Sequence, residues 1–115
     1  MSVDQAKAAL KSAIENLESE LRRDAERSDG SIAQERRREE HIDHLRRNVD
    51  ARERELIQLV EKALKSAKDD LESELRRNAE RSDGSEAQER RREDHIDHLR
   101  EKVASWEKEL EKLKG

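Results

Sequence analysis

Four histidines are the residues whose type and spacing most suggest chemistry. They come as two identical HIDH segments, His41 with His44 and His95 with His98. On a helix, positions three apart share a face, so each segment offers two imidazoles to a single ion. Carboxylates that would complete such a site are close in sequence. Glu40 and Asp94 lie four residues before the second histidine of each pair, and Glu15 and Glu18 (or Asp69 and Glu72) fall roughly opposite on an antiparallel partner helix. Two histidines with one or two carboxylates suit zinc or a non-haem metal.

Two other uses of the same histidines compete with the metal reading. Ile42 and Leu45 are the inward positions of this segment, which sets His41 at the flank and His44 further towards solvent. Flanking histidines in a charge-rich helix are commonly solvated or paired with a carboxylate. Protonation near pH 6 would also add four charges beside arginine-rich segments and make assembly pH-sensitive. The arginine runs Arg36–Arg38 and Arg90–Arg92 are each bracketed by acids three and four residues away. Salt bridges at that spacing satisfy them, so they read as a solvated charged face rather than a phosphate site. No nucleophile–base pair and no phosphate-binding loop is present, so no catalytic residue is assigned. No cofactor is called for unless the histidines bind zinc.

The elements that position the histidines are written twice. Ser12–Arg46 recurs 54 residues later as Ser66–Arg100, with six differences: Ile14/Lys68, Glu15/Asp69, Asn16/Asp70, Asp24/Asn78, Ile32/Glu86 and Glu40/Asp94. Such self-similarity marks two copies of one supersecondary unit. The strong breaks are Ser28-Asp29-Gly30-Ser31 and Ser82-Asp83-Gly84-Ser85. Glycine just past a helix end closes the last turn. Ser31 with Gln34, and Ser85 with Gln88, then form a capping box for the next helix, and Ser2 with Gln5 gives the same start signal. Each SDGS therefore predicts a tight turn between antiparallel helices.

Helices are expected over about 3–27, 32–81 and 86–114, within one helical domain whose repeats span about 3–56 and 57–114. The stretch between His44 and Ile57 holds neither Gly nor Pro, and its counterpart in copy two reads as helix to the C-terminus. A single central helix on the order of 75 Å long follows. A break near 48–54, where Asp50 with Glu53 could cap a new helix, would instead give a compact four-helix bundle. Apolar residues step by three and four along helix 1 (Val3, Leu10, Ile14, Leu17, Leu21) and the first half of helix 2 (Ile42, Leu45, Val49, Leu56, Leu59). That is the seam of an antiparallel pair. After Leu56 the phase slips to Ile57, Val60, Leu64, Ala67, Leu71 and Leu75, and Trp106 falls on the extended seam of helix 3.

The fragment REEHIDHL resembles the C-terminal ligand helix of ferritin-like di-iron proteins, notably bacterioferritins and designed four-helix di-metal proteins. The likeness covers about eight residues per copy. It departs at the carboxylate three residues before the ligand histidine, where this chain has Arg38 and Arg92. His44 and His98 also stand where an aromatic is usual. The departure argues against a di-iron oxidase. Near-identical copies, repeated loops, Leu/Ile/Val/Ala seams and Glu/Lys/Arg surfaces make the whole chain resemble a de novo designed helical protein.

Composition agrees with this class. Of 115 residues 49% are charged and 30% apolar, Trp106 is the single aromatic, and Cys and Pro are absent. Without cysteine there is no disulfide framework or thiolate site. The net charge of −4 is interleaved rather than gathered in a basic stripe, against nucleic-acid binding. No apolar run is long enough for a membrane span, and the chain reads as soluble and cytoplasmic, or recombinant if designed. An all-α antiparallel coiled coil of two hairpins sharing a long helix is the expected fold. A structural, self-associating scaffold, dimeric through the apolar centre of the rod and without catalytic activity, is the expected function. A metal-binding bundle and a natural spectrin-like spacer are the alternatives.

Overall fold

The computed structural model describes residues 1–26, 32–80 and 86–115. Three helices account for nearly all of them: α1 (Val3–Glu26), α2 (Ile32–Glu80) and α3 (Glu86–Lys114). Among the described residues there is no strand. The reciprocal capping box at the start of α1 is formed as the sequence implies. Ser2 N donates to Gln5 Oε1 at 2.9 Å, and Gln5 N donates to Ser2 Oγ at 3.1 Å. Both SDGS turns, with Ser31 and Ser85 of the other two capping boxes, lie outside the described residues.

Helix α2 runs without interruption through positions 48–54. Asp50 and Glu53 therefore sit inside a helix and cap nothing, and the compact bundle with a break there is not formed. The physical reason is simple: with no Gly and no Pro in the stretch, and strong helix formers from Ala51 to Glu55, nothing outcompetes the next intrahelical hydrogen bond.

The chain divides into two compact units, Met1–Leu56 and Ile57–Gly115, with the division inside α2 where one repeat copy gives way to the next. Unit 1 is an antiparallel pair formed by α1 and the first half of α2. Arg38 of α2 meets Asp24 of α1 at 3.5 Å and His41 meets Glu20 at 3.9 Å. Continued along the pair, that register sets Leu17 against Leu45, Ala13 against Val49 and Ala6 against Leu56. Unit 2 repeats the arrangement with the second half of α2 and α3. There Glu74, Arg77, His95 and Leu99 line one cavity, and Lys114 reaches Glu61 at 3.2 Å.

The innermost positions follow the expected apolar seam only in part: Ile42, Leu56, Val60 and Ala67 lie on it, whereas Ala6, Ala13, Glu20 and Glu74 do not. In unit 1 the buried residues are Ala6, Ala13, Glu20, Ile42 and Leu56; in unit 2 they are Val60, Ala67, Glu74, Ile96 and Leu99. Val3, Leu10 and Leu17 are half-buried beside them, while Leu21 and Leu75 are exposed. The working heptad of α1 is thus 3, 6, 10, 13, 17, 20, 24, with alanine and then glutamate on every second seam position. Small side chains let two helix axes approach closely, so a narrow pair buries alanine most completely. The sequence step from Leu17 to Leu21 keeps an apolar residue but leaves this alternation, and Leu21 rotates out to solvent. Trp106, which stands where copy one has Arg52, is half-buried.

Candidate functional site

Both HIDH segments lie on regular helix, His41 and His44 on α2 and His95 and His98 on α3. Ile42 and Ile96 between them are buried, and this fixes where the imidazoles go. All four histidines are exposed, as flanking residues of a seam must be. The aspartate of each segment is drawn towards the following arginine. Asp43 lies 4.0 Å from Arg46, and Asp97 lies 3.8 Å from Arg100.

The carboxylate that approaches His41 is Glu20, with Oε2 3.9 Å from Nε2. Arg23, one turn along α1, holds the same oxygen at 3.7 Å. Glu20 keeps only 10% of its side chain exposed, against 55% for His41. A buried carboxylate needs partners, and here a cation from its own helix and an imidazole from the facing helix flank it. Unit 2 reproduces the core of this cluster. Arg77 lies 3.7 Å from Glu74, and Glu74, His95, Asp70 and Ser73 line an open cavity of about 300 Å³. Asp70 stands where copy one has Asn16, so the second cluster has one more carboxylate nearby.

The carboxylates that sequence spacing nominated form none of these ion pairs with the histidines. Glu40 and Asp94 are exposed, as are Asp69 and Glu72. Glu15 and Glu18 rim a separate groove with Leu10, Ile14 and Leu56. Glu20 and Glu74 were hidden from the sequence reading because glutamate was not expected on a seam. The three-and-four alternation through Val3, Ala6, Leu10, Ala13 and Leu17 would have found them. Among the described residues, no three His, Asp or Glu side chains come together closely enough to hold a metal ion.

A second polar cluster sits one turn nearer the end of each pair. Arg38 is drawn in from the charged run until its Nε is buried, with Asp24 at 3.5 Å and no hydrogen-bond partner for that nitrogen. Glu35 and Glu39 share an open cavity of about 210 Å³ with it. Arg92 Nε is likewise buried without a hydrogen-bond partner. Its counterpart across the repeat is the neutral Asn78, where copy one has Asp24. Arg36, Arg37, Arg90 and Arg91 remain exposed.

The grooves beside the seam are of another kind. In unit 1, Leu10, Ile14 and Leu56 form the apolar floor of an open groove of about 370 Å³, rimmed by Lys7, Lys11, Glu15 and Glu18. In unit 2, Leu64 and Leu110 floor a groove of about 410 Å³ rimmed by Glu107, Glu111 and Lys114. Among the described residues no helix is long and apolar enough to cross a membrane. Comparison with protein-family models, curated proteins and solved structures gives no match.

Proposed function

We propose that the chain is a structural, self-associating helical scaffold of designed origin, with no catalytic activity of its own. The observation that carries this reading is the unit 1 groove, whose apolar floor of Leu10, Ile14 and Leu56 is bounded by paired lysines and glutamates. An apolar strip with charged margins is how one helix receives another. A two-helix pair with alanine on its seam buries little apolar surface, and small cores of this kind supply roughly 3–5 kcal/mol at most. Association adds the burial that the isolated pair lacks. Design is supported by the near-identical repeat and by capping chemistry used as a rule rather than an accident; recent natural duplication is the competing origin.

Sedimentation equilibrium tests the reading. The expected result is a species of twice the 13.5 kDa chain mass, and a strict monomer at every concentration overturns it. Metal binding has narrower support, from His95 sharing a cavity with Glu74 and Asp70. Calorimetric titration with zinc decides it: saturable binding that disappears when all four histidines become alanine would establish a site, and no saturable binding by the parent chain ends it.

A further inference from the structure

The groove of unit 1 is self-complementary. Read along α1, its residues run Lys7, Leu10, Lys11, Ile14, Glu15, Glu18: two cations first, two anions last, and two apolar residues straddling the midpoint. All six fall on one side of the helix, since they recur at steps of three and four. A two-fold axis crossing α1 near residues 12–13 would lay Lys7 against Glu18 of a second copy and Lys11 against its Glu15, with Leu10 and Ile14 meeting between them. A parallel pairing in register would set lysine on lysine and glutamate on glutamate. Closed dimers are built from such patches, in which one surface serves both partners, and like charges brought together exclude the wrong orientation.

The second copy of the repeat lacks this pattern. The positions 54 residues on are Glu61, Leu64, Lys65, Lys68, Asp69 and Glu72. The cationic pair is broken at Glu61, and Lys68 replaces the apolar centre. Ile14 is half-buried in unit 1, whereas Lys68 is exposed in unit 2. Of the six differences between the copies, Ile14/Lys68 therefore falls on the floor of the groove and Glu15/Asp69 on its rim.

We propose that α1 is the dimer interface: the Lys7–Glu18 face of one chain docks antiparallel on the same face of a second chain, and unit 2 takes no part in recognition. This rests on the self-association reading and specifies the partner and the face. The test uses two full-length charge-reversed variants, K7E/K11E and E15K/E18K, with sedimentation equilibrium as the readout and circular dichroism to verify helicity. Each variant alone is expected to sediment at the monomer mass, because its α1 face becomes uniformly acidic or uniformly basic. An equimolar mixture is expected to return to the dimer mass and to dissociate as salt is raised. The single change I14K, which writes the residue of copy two into copy one, is expected to give a helical monomer.

The alternative outcomes are separable. If the parent chain dimerises and both charge-reversed variants dimerise equally well, α1 is not the interface and the scaffold reading survives alone. Monomeric variants that fail to associate on mixing overturn the antiparallel pairing. A parent chain that is monomeric throughout overturns both proposals. If I14K loses helicity, the charge-reversed mixture, which leaves the apolar floor intact, still decides the matter.

Discussion

At the scale of single residues, the two copies form a natural double experiment. Arg38 and Arg92 occupy the same place and bury the same nitrogen, but Asp24 faces only the first of them. Asn78→Asp should therefore stabilise the second unit and Asp24→Asn destabilise the first, each by about 0.5–1 kcal/mol, because the pair is partly exposed. Thermal unfolding of the two variants checks this, and shifts of equal sign would show that the facing residue is not what matters. The arginines were legible in the sequence as members of a charged run, but their burial was not. Three consecutive arginines on a helix point in three directions, and only the packed partner helix decides which one turns inward.

At the scale of elements, the helices follow from local chemistry and the seam does not. α1, α2 and α3 begin and end close to where caps and glycines place them, and α2 continues because nothing in it interrupts the backbone ladder. Alanine, by contrast, is an excellent helix former anywhere and carries no directional signal, so the seam of α1 was drawn through Leu21 and passed over Ala6 and Ala13, although Ala67 was placed on the seam of α2 and is buried there. Ala13 is 3% exposed. Ala13→Leu should force the pair apart and cost about 1–3 kcal/mol in urea unfolding, although the same change raises apolar content. Ala51→Pro should cost about 3 kcal/mol, since it removes a helical hydrogen bond and clashes with the preceding turn. A segment that behaved as a loop would tolerate it with little change in the melting curve.

At the scale of the whole molecule, the chain builds two units from one pattern and then makes them unequal. Ile14 and Ile32 give the first unit apolar surface, with Ile32 73% exposed, where the second has Lys68 and Glu86. At these two positions the first unit carries apolar side chains where the second carries charged ones, so any surface for a second chain is more apolar on the first unit. If a second chain docks there, the melting temperature must rise with protein concentration, because association stabilises the folded form by mass action. Differential scanning calorimetry over a hundredfold range of concentration measures this directly. A melting temperature independent of concentration would place the folding unit in a single chain.

The sequence alone determined that this protein is helical, that it is written twice, where its helices start and stop, and that its long helix does not break. Each of these is a local property, set by backbone hydrogen bonding, caps and the absence of glycine or proline over a few residues. Only the tertiary structure decided which side chains face the seam, that Glu20 rather than Glu15 or Glu18 approaches His41, and that one arginine of each run is buried. Those outcomes depend on the rotational setting of one helix against another. A rotation of a few tens of degrees exchanges alanine for leucine and one glutamate for the next, and no single-helix pattern fixes it.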